Sequence, residues 1–261
     1  TKYDNPNGSL ATGMYHKGQK LGEIWGYVTD GYILDDFEAK RMNHIQKFIN
    51  GTWYPGDIRY KDLNGDGIID LGSNTLSDPG DRTVIGNTTP RYRFNLQGGI
   101  GWHGFEVRAI FEGVAKRDLW TGSDTFWGFS RGIYNSNVFQ YHIDNTWTYE
   151  NPTAYYPRPS ANGNSKNKQI QTKYLQNAAY IRLKDITISY NLPQKWLSRI
   201  GLQQARIYVN GMNLWEKTAL PPFMMPDIVD QMTSTENING ANLGKQYAFM
   251  RTFSFGMNVT F

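Results

Sequence analysis

Nine consecutive residues, Asp62-Leu63-Asn64-Gly65-Asp66-Gly67-Ile68-Ile69-Asp70, carry the sharpest chemical pattern in this sequence. Oxygen-bearing side chains stand at its first, third, fifth and ninth positions, glycine at the sixth and an apolar residue at the eighth. Calcium takes about six to eight hard oxygen ligands, and this spacing folds the side chains of Asp62, Asn64 and Asp66 and the carbonyl of Ile68 around one point, with Asp70 close behind. A structural calcium ion is therefore expected here. The back half departs from the EF-hand pattern, because the twelfth position is Ser73 instead of a bidentate glutamate; Asp78 and Asp81 are the carboxylates near enough to complete a shell. A metal-free turn rich in Asx and glycine is the alternative. With no helix expected on either side, the ion would brace a loop and not act as a switch.

A second chemical pattern lies between Lys116 and Ala179, where Trp120, Phe126, Trp127, Phe129, Tyr134, Tyr141, Trp147, Tyr149, Tyr155 and Tyr156 are set among Asn, Ser and Thr. Rings with amides and hydroxyls around them can stack on sugars, but they can equally pack a loop or sit at a membrane interface, and no single ring stands out. Catalysis has little support. His16, His44, His103 and His142 show no metal-ligand spacing, no nucleophile-elbow motif is present, and the carboxylates outside the Asp62 loop are scattered. The net charge of +4 is mild and the Lys and Arg residues form no stripe, so a nucleic-acid partner is not expected. Cysteine is absent, which excludes a disulfide framework.

The elements that must position these residues read as strands. In the last sixteen residues, Phe253, Phe255, Met257, Val259 and Phe261 alternate with Thr252, Ser254, Gly256, Asn258 and Thr260. The same two-faced pattern predicts strands over Arg91 to Gly101, Phe105 to about Ala115, Tyr180 to Leu192, where Pro193 stops the ladder, and Ala205 to Trp215. Residues Leu10 to Val28 offer a weaker one. No apolar run is long enough for a helical membrane span, whereas half-polar barrel strands leave mean hydropathy as low as the −0.58 found here.

The connections are unequal in an ordered way: short ones follow the first and third of these strands, long ones the second and fourth. A meander then places the long loops at one end and the tight turns at the other, the asymmetry of outer-membrane barrels. The expected fold class is all-β, the C-terminal antiparallel strands of a transmembrane β-barrel with long extracellular loops. Residues 1–90 read mainly as an extracellular loop carrying the calcium-like motif, and 91–261 as barrel strands and loops. The start at Thr1, without a basic and apolar leader, reads as the back part of a longer polypeptide. A soluble, extracellular, calcium-dependent β-sandwich that binds glycans is the rival class.

Several stretches together resemble the C-terminal third of SusC/RagA-like TonB-dependent transporters. They are Ile24 to Gly31 (IWGYVTDG), Tyr54 to Gly67 (YPGDIRYKDLNGDG), Asp81 to Asn87 (DRTVIGN) with Pro90, Tyr180 to Pro193 (YIRLKDITISYNLP), Ala205 to Leu214 (ARIYVNGMNL) and the terminal strand. The resemblance implies a barrel of about 22 strands in the outer membrane of a Gram-negative bacterium, embedded in lipid and plugged by an N-terminal domain that is not in this sequence. It also implies a SusD-like surface lipoprotein as partner and energy delivered through TonB. The implied activity is import of glycans or oligosaccharides, or of peptides in a variant of the same design, by gating and not by bond chemistry.

Overall fold

The computed structural model describes residues 5–11, 14–49, 51–129, 138–160, 165–226 and 249–261. The chain divides into two compact units, one made of Thr1–Thr89, Asp118–Gln176 and Pro222–Gln246, the other of Pro90–Arg117, Asn177–Pro221 and Tyr247–Phe261.

The second unit is an antiparallel meander. Strands β1 (Arg93–Trp102), β2 (Phe105–Val114), β3 (Tyr180–Asn191), β4 (Gln204–Thr218) and β5 (Thr252–Thr260) lie in the order β5-β4-β3-β2-β1. All five expected strands are present. The fourth runs on to Thr218, and the terminal one begins at Thr252, while Gln246, Tyr247 and Ala248 of the expected span lie outside the described residues. Trp102 faces Phe105 across the first hairpin, so His103 and Gly104 alone make the turn, and both take the positive φ (49° and 88°) that tight hairpin turns require. After Pro193 the chain makes an α-helical turn, Gln194–Leu197, and a 3-10 turn, Ser198–Ile200, before β4.

Register sorts the two faces. Leu96 pairs with Phe111, Ile100 with Val107, Val107 with Ile188, Val209 with Phe255 and Ile207 with Met257, so one face is apolar across all five strands. That face is open, with Leu96 68%, Ile100 73% and Phe255 80% exposed. The alternation is not continuous along β3. Asp185 pairs with Ile110 and Leu183 with Phe111, leaving Lys184 as an extra residue; in β4, Met212 pairs with Asp185 and Trp215 with Leu183, leaving Asn213 and Leu214 extra. The bulge moves Leu183 and Ile181 onto the apolar face below Ile186 and returns Arg182 to the polar one.

The first unit has two short ribbons, Glu23–Tyr27 paired with Arg82–Asn87 and Thr29–Tyr32 paired with Ile58–Tyr60. It also has helices, none of which adjoins the Asp62 loop in the chain: the strands Ile58–Tyr60 and Arg82–Asn87 come before and after it. Helix α1 (Asp36–Ile45) is started by Asp35, whose carboxylate accepts the Glu38 N–H at 2.8 Å, while Glu38 reaches back to the Leu34 N–H at 2.8 Å. Its apolar stripe is thin, burying only Ala39 and Met42, which is why periodicity gave no warning of it. Two shorter helices, α2 (Asp124–Trp127) and α3 (Gln140–Asp144), lie in the aromatic segment. Trp53, Ile33, Ile58, Trp120, Phe126 and Tyr174 are fully buried and make the core of this unit. Among the described residues no helix is long and apolar enough to cross a membrane.

Candidate functional site

The polar face of the sheet carries the charges. Near the long-loop end, Arg182 donates through Nε to Glu216 at 2.7 Å and lies 3.5 Å from Glu112, which also pairs with Lys184 at 2.6 Å. The guanidinium is nearly buried, flanked by the rings of Tyr180 and Phe249 at 5.3 and 5.0 Å. A cation so enclosed is tolerable because two carboxylates meet it. Midway, the Asn210 amide donates to Asp185 (2.7 Å) and Thr187 (2.9 Å). At the tight-turn end Glu106 pairs with Arg108 at 2.5 Å and Arg206 at 3.2 Å, and Arg206 also donates to Ser189. Lone alternating residues in the sequence indicated this face; the cross-strand partners became visible only with the register.

The Asp62–Asp70 loop is folded on itself. Asp62 accepts the N–H groups of Gly65 (2.6 Å) and Gly67 (2.9 Å), Asn64 accepts that of Asp66 (3.0 Å), and Asp66 accepts that of Ile68 (2.7 Å). Gly65 and Gly67 supply the positive φ, 79° and 83°, that lets consecutive N–H groups turn inward. Ile69 ties the loop to α1, its N–H bonding the Ile45 carbonyl at 2.7 Å. Of the two carboxylates that could complete a shell, Asp81 is brought to the loop: it accepts from Leu63 at 2.6 Å and from Asp70 at 2.9 Å, and burial pushes its pKa up. Asp78 is instead held by the Ser73 hydroxyl (2.6 Å) and N–H (2.7 Å), which lower its pKa. Among the described residues no three acidic, imidazole or thiol side chains form a metal-holding group. The fit to calcium is one of donor type and spacing, with Asp62, Asn64, Asp66, Ile68 and Asp70 on one short loop, and not of a preformed carboxylate cage.

Half of the ten aromatic residues singled out between Lys116 and Ala179 are buried packing. Trp120, Phe126, Trp127, Trp147 and Tyr156 are buried, whereas Tyr141 and Tyr149 are exposed; Tyr134 lies outside the described residues. Sequence reading missed the polar keystone beneath them. The Asp57 carboxylate is fully buried, accepts the Tyr54 N–H and the Asn167 amide at 2.8 Å each, and forms an ion pair with Lys166. Asn167 in turn accepts the Ile58 N–H at 2.8 Å, so residues 54–58 and 166–167 are joined by one network. Lys173 lies 3.8 Å from the centroid of the Tyr32 ring, and burial pushes its amine down to about 8.

No protein-family model matches the chain. In sequence it is 26% identical over 253 residues to TonB-dependent receptor P3 of Formosa agariphila, covering 96% of this chain and 23% of that receptor. It is 27% identical over 215 residues to TonB-dependent receptor P26 of the same organism, covering 79% of this chain and 20% of the receptor. In structure it resembles the RagAB peptide transporter with a TM-score of 0.58 at 18% identity, over 92% of this chain and 23% of that one. The RagAB peptide importer in its 'open-open' state gives 0.58 at 17% identity, over 95% and 24%. The chain thus spans under a quarter of the length of the curated relatives it matches, and these relatives are named as receptors, not enzymes. The likeness to SusC/RagA-like TonB-dependent transporters holds along most of the sequence and in the backbone fold, and it fits the C-terminal part of such a transporter.

Proposed function

We propose that these residues form part of the wall and outer loops of an outer-membrane TonB-dependent importer. The observation that carries this reading is the two-faced meander, with a continuous open apolar row on one side and ion pairs and amide networks on the other. A strand pair can face hydrocarbon only if its backbone groups are all bonded, so β1 and β5, the two edges of the sheet, need further strands beside them. In this reading lipid covers the apolar face, the polar face looks into a plugged lumen, a SusD-like lipoprotein sits over the outer loops, and TonB acts through the plug. Oligosaccharide is the cargo we assign, on the exposed rings of Tyr54, Tyr141 and Tyr149. The likeness to RagAB, named as a peptide transporter, supports peptide cargo as a second reading. Calcium in the Asp62–Asp70 loop, held with help from Asp81, completes the proposal.

The absence of cysteine makes a direct test possible. Single cysteines at Ile207, Val209, Phe255 and Met257 should react in intact outer membranes with a lipid-soluble maleimide and not a charged one, and cysteines at Tyr208, Ser254 and Asn258 should show the reverse. Labelling of both sets by the charged reagent would overturn the membrane-wall reading. Cargo class is read by calorimetry of the detergent-purified protein against oligosaccharides and against peptides.

A further inference from the structure

His142 sits in a cage built for a neutral ring. Its side chain is fully buried, Nδ1 accepts the Phe139 N–H at 3.1 Å, and Nε2 faces the Phe126 carbonyl at 3.0 Å. An N–H on one side and a carbonyl on the other admit one tautomer, with the hydrogen on Nε2. The rings of Tyr156, Phe139 and Phe223 surround it at 5.2, 5.5 and 5.7 Å, and a β-carbon on Gly128 would fall 2.8 Å from its Cγ. The bond from Phe139 is also what starts α3, since Phe139 has no side-chain cap to offer.

Among the described residues, the groups around it leave a second proton without a counter-charge. On α2 the charged residue is Asp124, which pairs with Lys168 at 3.3 Å. On α3, Asp144 accepts from Gln140 at 2.8 Å, and Tyr141 presents a ring at 6.1 Å. Tyr156, whose hydroxyl burial keeps protonated, and Phe223, which is uncharged, supply the other described contacts.

We propose that His142 is a proton-sensitive latch, whose protonation releases the turn from Phe139 to Asn145 and uncovers the aromatic shell around Phe126 and Tyr156. A proton on Nδ1 would set two donors against each other at Phe139, so that bond must break. Burial holds the imidazole below its ordinary value of 6.5, against the opposing pull of the Phe126 and Thr125 backbone. A base depressed in the closed state makes closure complete above the open-state value; closure weakens as pH falls below it and levels off beneath the closed-state value.

The test is hydrogen exchange of the detergent-purified protein between pH 7.5 and 5, corrected for intrinsic rates. Exchange in Phe139 to Asn145 should rise roughly tenfold per pH unit below about 6.5, and stay flat in His142→Gln, whose amide carries both donor and acceptor atoms and does not titrate. No rise in the native protein, or the same rise in the Gln variant, overturns the latch. If His142→Gln does not fold, exchange at the histidine C2 position decides: His142 must titrate below the ordinary value of 6.5, and titration at or above it overturns the proposal.

Discussion

Gly256 and Tyr208 face each other across β4 and β5 so closely that a β-carbon at position 256 would lie 2.2 Å from Cζ of the phenol ring. The ring therefore occupies the space over Gly256 on the polar face of the terminal strand. Gly256→Val should lower the stability of the folded protein by about 1–3 kcal/mol through overpacking, read as the loss of trypsin-resistant, membrane-assembled protein. Adding Tyr208→Ala should restore assembly; a double variant no better than the single one would show that the contact is not what limits side-chain size there.

Asp57 is the buried carboxylate on which residues 54–58 and 166–167 converge. Asp57→Ala leaves the Lys166 ammonium and two donors without their acceptor, at a cost of about 3–5 kcal/mol. Thermal unfolding in detergent should show this loss, and adding Lys166→Met should recover part of it by removing the stranded charge.

Lys173 gives a pH dependence of opposite consequence to that of a paired lysine. Burial depresses its amine from 10.5 to about 8, so between pH 8 and 10.5 the unfolded chain binds more protons than the folded one and stability rises with pH. At pH 7 the charged amine is held at a cost. Lys173→Met should raise the melting temperature at pH 7, and that gain should shrink as the pH climbs from 8 toward 10.5.

Calcium binding to the Asp62 loop should raise the melting temperature with calcium concentration and be reversed by chelator, since a ligand of the folded state stabilises by mass action. Asp62→Asn should abolish the effect. Asp78→Asn should leave it intact, because that carboxylate is occupied by Ser73.

The sheet was legible because each strand keeps a two-residue period over most of its length, which few other arrangements produce: Phe253 to Phe261 and Tyr92 to Leu96 name their faces directly. The ribbon from Glu23 to Tyr27 was only faintly visible, being short and mixed in burial. Helix α1 was not, as its two buried residues give no amphipathic stripe and its start depends on the Asp35 and Glu38 side chains. The Asp62 loop was seen as donor spacing, yet the approach of Asp81 rests on a turn that no spacing rule encodes. Asp57 was invisible for a like reason, since its side-chain partners Lys166 and Asn167 lie more than a hundred residues away. Arg182 falls out of phase in a plain alternation and regains its carboxylates only through the bulge at Lys184.

That bulge also fixes alignment. A strand with period two can slide by two residues along its neighbour and still present the correct face, so alternation alone leaves every pairing in a meander open to slippage. Here β2 has no extra residue at this level, β3 has one and β4 has two, Asn213 and Leu214, with Asn213 at φ 54°. The three steps coincide at a single offset. Any two-residue slide would set a bulged stretch against a regular one, forfeiting ladder bonds on both sides of β3, so these strands can zip together in only one way from their own register.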